Sequence, residues 1–266
     1  MPPEEEVVRS RANPLFKRLR TLKGRGTRGE LCLLEGPRLL EEALAAGVTI
    51  DEVAASPAAE ERPEMAATLA TLRQRGVPVR RLAAGLLASL SEAGTTQGVV
   101  ALARPPVSDP ERLFAGTPLV VVAEGIQDPG NLGGLLRTAE AAGASGACLT
   151  PGCADPFSWK ALRGSMGSAL RLPLVREASV GATIERLEAR GVRLCATAAD
   201  GEARYDETDL TGPVALLFGP EGSGLSPEVR RRADVRLRIP LAPAVESLNV
   251  GVAAGLVLFE AARQRG

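Results

Sequence analysis

Residues 118–125, PLVVVAEG, form a near-continuous apolar run, and the next helix-like segment, NLGGLLRTAEAAG, begins at 131. An apolar run without alternation fits a strand buried on both faces, and such a strand needs helices packed above and below it. The same pairing repeats downstream. GACLT (146–150), LPLVRE (172–177), VRLCATAA (192–199), VALLFG (214–219) and VRLRIPL (235–241) read as strands. FSWKALRGSMGSAL (157–170), TIERLEARG (183–191), SPEVRRRAD (226–234) and a last helix over 248–263 read as helices between or after them. Strands alternating with helices predict an α/β fold with a mostly parallel sheet covered on both faces.

The best boundary is RPPVSDPERLFAGTP (104–118), where prolines cluster. Upstream, LCLLEG (31–36), IDEVAAS (50–56), VPVRRL (77–82) and GVVALA (98–103) read as short strands, with helices over 37–47 and 63–76. The predicted organisation is a basic arm over 1–29, a small α/β domain over 30–104, a linker over 105–117 and a larger domain over 118–266.

Composition removes several kinds of chemistry. The chain contains no histidine. Imidazole general acid–base catalysis, Ser-His-Asp triads and His-based metal sites are therefore excluded, and no metal is expected. The four cysteines at 32, 148, 153 and 195 form no C-x-x-C pair and read as reduced, mostly buried small residues. No run approaches the ~18 apolar residues of a membrane helix, and the N-terminus lacks a signal-type apolar region, so a cytoplasmic protein is expected.

The formal net charge is zero, so no global field draws in a polyanion. Locally, residues 9–28 carry Arg9, Arg11, Lys17, Arg18, Arg20, Lys23, Arg25 and Arg28 without one acid. Such a run reads either as a solvated helix face with a flexible arm or as a contact for RNA phosphates.

In sheets of this kind ligands bind beyond the carboxyl ends of the strands, and three loops there carry unusual residues. EGIQDPGNLGGLLRTAEAAG (124–143) lacks both G-x-G-x-x-G and G-K-[ST], which leaves Asn131 and Arg137. They are a helix cap and a solvated arginine, or they are functional. LLFGPEGSGLSPE (216–228) places glycines and Glu221 just past a strand, where glycine lets a backbone approach a ligand closely. IPLAPAVESLNVGVAAG (239–255) sets Ser247 and Asn249 before an apolar helix, in positions suited to capping or to a site.

Together, DPGNLGGLLRTAEAAG, LLFGPEGSGLS and IPLAPAVESLNVGVAAG resemble, in order and spacing, the three motifs of the SpoU-type RNA ribose 2′-O-methyltransferases of the SPOUT superfamily. Residues 30–103 resemble the small RNA-binding domain that precedes the catalytic domain in ribosomal-RNA members. The resemblance implies a deep trefoil knot near the C-terminus and homodimerisation through the last helix, with the active site assembled at the dimer interface. It implies S-adenosylmethionine held at Thr197, Leu217, Phe218, Gly219, Gly224, Ile239, Leu241, Leu248 and Asn249. It places Asn131, Arg137, Glu221, Ser247 and Asn249 at catalytic positions.

The family's arginine is described as a general base. A free guanidinium stays protonated, so Arg137 stabilising a developing alkoxide, oriented by Glu221, is the physically easier role. The activity implied is methylation of a ribose 2′-hydroxyl in structured RNA, foremost ribosomal RNA. Transfer RNA, a resistance-conferring ribosomal methylation and a catalytically silent assembly factor are the alternatives.

Overall fold

A computed structural model describes residues 7–25, 30–91 and 96–266, without the side chains of residues 24 and 25. Two compact units divide the chain, residues 1–106 with 157–163 and residues 107–156 with 164–266.

The first unit begins with α1 (Pro14–Arg25), β1 (Cys32–Glu35), α2 (Pro37–Ala45), β2 (Ile50–Ala55) and α3 (Pro57–Glu60). It continues through α4 (Pro63–Gln74), β3 (Val79–Arg81), α5 (Ala84–Ala88) and β4 (Val99–Ala103). Its sheet runs β1-β4-β2-β3. Strand β4 is antiparallel to both β1 and β2, whereas β3 is parallel to β2.

The expected basic arm is in part a helix of this unit. Phe16 and Leu19 of α1 are buried in a cluster with Leu82, Leu87 and Leu102. Burying each such side chain contributes about 1.5–3 kcal/mol, more than the ~0–1 kcal/mol of one surface ion pair. The helix therefore docks by its apolar stripe and keeps its bases outward. Trp159, on the returning segment 157–163, joins the same cluster, and the Lys23 ammonium lies 4.6 Å from its ring centre.

The second unit opens with a short 3₁₀ turn over Pro110–Phe114, then β5 (Leu119–Ala123), α6 (Pro129–Ala141), β6 (Gly146–Leu149) and α7 (Trp159–Ser165), whose first residues group with the first unit. There follow α8 (Ser168–Arg171), β7 (Leu174–Arg176), α9 (Val180–Glu188), β8 (Arg193–Thr197) and β9 (Ala203–Arg204). Last come β10 (Val214–Phe218), α10 (Pro227–Arg232), β11 (Val235–Arg238) and α11 (Val250–Arg265). The seven-stranded sheet runs β7-β6-β5-β10-β8-β11-β9, and every neighbouring pair is parallel. Val120, Val122, Leu194 and Leu217 pack on one face with Ile184 and Leu187 of α9 and Val229 of α10. Helices α6 and α11 pack together and against β6 and β10, outside that cluster. Both faces are covered, as the apolar runs require.

Two further expectations change. The segment 105–117 is not a free linker, because Leu113 is fully buried and the Ser145 hydroxyl donates to its carbonyl at 2.6 Å. The helix expected over 157–170 breaks at Met166 and Gly167, whose φ values of 50° and 89° leave the right-handed region. Short α3, α5 and β9 carry too few residues to show a period. No helix among the described residues is long and apolar enough to cross a membrane.

Candidate active site

The carboxyl ends of β8, β10 and β11 open onto a cleft of about 480 Å³. Phe218, Leu237, Ile239, Leu241 and Leu248 give it apolar walls, and residues 219–224 form a glycine-rich rim. Thr197 lines it while its hydroxyl donates to the Leu217 carbonyl at 2.8 Å, which ties β8 to β10. The backbone N–H groups of Leu241 and Leu248 make no hydrogen bond to the described residues. An apolar cleft edged by unpaired backbone groups fits a flat heteroaromatic ring with polar edges.

Of the residues expected to hold a donor, Thr197, Phe218, Gly219, Gly224, Ile239, Leu241 and Leu248 line this cleft. Leu217 does not, because its side chain is buried in the sheet core. Asn249 does not either, being occupied as described below. Gly219 is required for another reason than expected. A Cβ there would stand 2.6 Å from the Gly224 carbonyl carbon and the Leu225 nitrogen, so the close approach at Gly219 is made by the loop itself. The sequence also missed Asp200 and Arg230 on the cleft wall. Their side chains pair at 2.6 Å, and Arg230 draws the Asp200 carboxyl below its ordinary range.

Beside the cleft, one oxygen gathers three donors. Glu221 Oε1 accepts from Asn131 Nδ2 at 3.0 Å, Asn249 Nδ2 at 2.6 Å and the Val250 backbone N–H at 3.0 Å. Asn249 Nδ2 also lies 3.0 Å from Asn131 Oδ1. The three loops singled out in the sequence thus meet at one carboxylate.

Local chemistry fixes each partner. Asp128, not Asn131, caps α6 by accepting from the Asn131 N–H at 2.9 Å, and Pro129 follows it in the first turn. The Asn131 side chain is thereby free to reach Glu221. Asn249, not Ser247, caps α11, accepting from the Gly251 and Val252 N–H groups at 3.0 and 3.4 Å. Ser247 is exposed on the cleft wall. Glu124 joins the second loop to the first, accepting from the Ser226 N–H at 2.9 Å.

Arg137 stands apart. It lies on α6 six residues beyond Asn131, about 120° round the helix from it, and is exposed. The expected Glu221–Arg137 pair is not formed, because Glu221 is occupied by amides. The Arg137 side chain has no hydrogen-bond or ion-pair partner among the described residues.

Of the expected phosphate contacts, Arg9, Arg11, Lys17, Arg18 and Arg20 are exposed on the first unit, and Lys23 is half-buried against Trp159. Arg18 lies 3.7 Å from Glu52, so even this acid-free stretch finds one acid in the fold. Arg28 and the side chain of Arg25 lie outside the described residues. Burial pushes the Cys148 and Cys195 thiols up to about 12 and about 11, so neither offers a thiolate at neutral pH.

Residues 118–259 match the model of the SpoU rRNA methylase family. The chain belongs to that family. Residues 13–101 match the MRM3-like substrate-binding domain. The chain is 33% identical to the 23S rRNA (guanosine(2553)-2′-O)-methyltransferase RlmP of Bacillus subtilis, over 92% of this chain and 93% of that one. Among solved structures, an AdoMet-bound rRNA methyltransferase from Sinorhizobium meliloti superposes with a TM-score of 0.86 at 33% identity, covering 97% of each chain. The SpoU methyltransferase AviRb from Streptomyces viridochromogenes, in complex with AdoMet, gives 0.84 at 31% identity, covering 95% of this chain and 98% of that one. The family's match therefore spans the residues of this cleft and all three loops of the polar junction.

Proposed function

We propose that this SpoU-family chain transfers a methyl group from S-adenosylmethionine to a ribose 2′-hydroxyl of ribosomal RNA, in the cytoplasm. One observation carries the reading: Glu221 Oε1 joins Asn131, Asn249 and Val250 at the mouth of an apolar, glycine-rimmed cleft.

When bound, S-adenosylmethionine supplies an electrophilic methyl on its sulfonium. The chain's own groups do the rest. Phe218, Ile239, Leu241 and Leu248 hold the adenosine end and exclude water, and the free N–H groups of Leu241 and Leu248 are available to its polar edge. Glu221 fixes the two asparagine amides, which position the ribose, and such positioning is worth several orders of magnitude in rate. Ser247 lines the cleft at its junction with that network. Arg137 stabilises the developing alkoxide as a cation.

Its exposure, with no side-chain partner among the described residues, supports a role completed by RNA or by a second copy. On α11, Val252, Leu256 and Phe259 are 53%, 39% and 52% exposed at helical spacing, an apolar stripe suited to homodimerisation. The order β5-β10-β8-β11, with β8 inserted beside two later strands, accords with a trefoil knot over the C-terminal segment. The basic face of α1, with the first unit, binds RNA phosphates.

Mapping ribose methylation on ribosomal and transfer RNA from cells with and without this gene tests the reading. Loss of one ribosomal 2′-O-methyl mark is the expected result. A lost transfer-RNA mark would move the substrate, and no lost mark would make the chain an assembly factor.

A further inference from the structure

Glu140 stands three residues beyond Arg137 on α6, and residues three apart on a helix are neighbours on its surface. An uncommitted carboxylate there would compete with the reacting ribose for the Arg137 guanidinium. We infer that Arg171 is a positioning residue for methyl transfer: it engages Glu140, which leaves Arg137 uncommitted and its surroundings free of unpaired negative charge. The inference rests on the role proposed above for Arg137 and adds the residue that preserves it.

The engagement is complete. Arg171 Nε donates to Glu140 Oε1 and Arg171 Nη2 to Glu140 Oε2, both at 2.7 Å. Both oxygens are used, in the two-pronged geometry that a guanidinium provides. The Ser168 side chain adds a hydrogen bond to the same carboxylate. Arg171, and less strongly Ser168, hold the Glu140 carboxyl below its ordinary range, against a partial burial that raises it. Of two arginines within reach of one acid, Glu140 thus takes the one from α8. The Arg137 side chain, on its own helix, is left without a partner among the described residues.

The path of the chain brings Arg171 there. A Cβ on Gly164 would stand 3.3 Å from the Gly130 carbonyl oxygen and 3.5 Å from the Gly133 Cα, so this backbone lies on the first turn of α6. Ser168 and Arg171 meet α6 again at Glu140, in its last turn. Positions 133, 137 and 140 share one stripe of a helix, so segment 164–171 runs beside the stripe that carries Arg137. Within it, Met166 is the one non-glycine residue of positive φ among the described residues. Such strain persists where the surrounding structure enforces it, and it gathers at functional sites. The turn at Met166 and Gly167 starts α8 afresh against α6, and α8 carries both partners of Glu140.

Charge outweighs capture. An arginine–glutamate pair three apart on a helix changes the free population of Arg137 by only about twofold. An unpaired carboxylate about 10 Å from the reacting oxygen, at an effective dielectric of about 20, opposes the developing alkoxide by roughly tenfold in rate. One turn of helix and the reach of Arg137 set that distance. An acid near a helix C-terminus also opposes the helix dipole, so stability and rate must be read separately.

The test is single-turnover methyl transfer by the full chain at saturating RNA, on a transcript spanning the nucleotide mapped as above, with a thermal melt of each variant. Arg171→Ala should be roughly tenfold slower than wild type. Adding Glu140→Gln to it should return the rate to within about threefold, because the acid to be restrained is gone. A second pair of variants disturbs no packed side chain. Ala141 is exposed and four residues beyond Arg137, so Ala141→Glu should slow transfer by about threefold or more, whereas Ala141→Gln should not. A folded Arg171→Ala at wild-type rate, a double variant as slow as Arg171→Ala, or Ala141→Glu as fast as Ala141→Gln would each overturn the proposal. Near-normal turnover by Arg137→Ala would instead sink the role of Arg137, and this inference with it. A wild type that methylates no RNA would sink the methyltransferase reading itself.

Discussion

Replacing Glu221 by alanine removes one oxygen that three donors share, and the structure separates what this costs in stability from what it costs in rate. The Val250 N–H belongs to the first turn of α11 and is one of its orphan donors. A hydrogen bond to a charged group contributes about 1.5–3 kcal/mol when sheltered, and Glu221 is exposed, so about 1 kcal/mol is the sensible share. The two asparagine amides regain water and add about 0.3 kcal/mol each, giving a total of about 1–2 kcal/mol. For a chain of this size that lowers Tm by roughly 2–8 °C.

The effect on rate is larger. Asn131 and Asn249 lose their common anchor, and misplacement by about 1 Å costs on the order of 10²-fold. Glu221→Gln is the informative partner. Only Oε1 is engaged, so an amide oxygen in its place keeps the geometry and loses the charge. Scanning calorimetry with single-turnover methyl transfer should find Glu221→Ala less stable and about a hundredfold slower, and Glu221→Gln near wild type in Tm and much closer in rate. If the glutamine variant keeps full stability but loses as much rate as alanine, charge governs and the geometric argument is wrong.

Arg137→Ala should lower single-turnover methylation by roughly 10³-fold with RNA and donor affinities retained, and Arg137→Lys should restore little, because lysine lacks the planar fork. Near-normal turnover on saturating RNA would return Arg137 to the solvent. Arg9, Arg11, Lys17 and Arg20 together changed to Gln should flatten the salt dependence of RNA binding by about 0.7–0.9 in log–log slope for each lost phosphate contact, with donor binding unchanged in calorimetry. Deleting α1 would be the wrong experiment, since Phe16 and Leu19 hold the first core. Glu260 is held at about 2 by Arg263 and then Gln264, below its ordinary 4.5. A lowered carboxyl contributes stability fully present above 4.5 and lost as pH falls toward 2. Thermal melts of Glu260→Gln should therefore lack the part of the acid-induced fall in Tm that the wild type shows across that window, and parallel curves would refute the assignment.

The alternation of apolar runs and helices was readable because a parallel sheet demands it along its whole length. The polar junction was readable only in pieces. Asn131 and Glu221 are 90 residues apart, and no spacing rule joins residues so distant. The resemblance brought Glu221 to the right loop, and the electrostatic argument that paired it with Arg137 chose the wrong partner. Helical geometry turns Arg137 away from Asn131, and the amides were nearer. The caps were misread for a local reason. In DPGN the aspartate before proline is the stronger cap signal, and in ESLN the asparagine adjacent to the helix outcompetes the serine two residues earlier. The break at Met166–Gly167 had no sequence signal beyond one glycine.

The junction also has a history during synthesis. Asn131 and Glu221 emerge first, and until residues 249 and 250 have been added Glu221 has only one of its three donors. A nascent or truncated chain can complete most of the sheet and still lack the assembled junction. On the proposed reading, the junction that positions the ribose is completed only when α11 arrives and packs against α6.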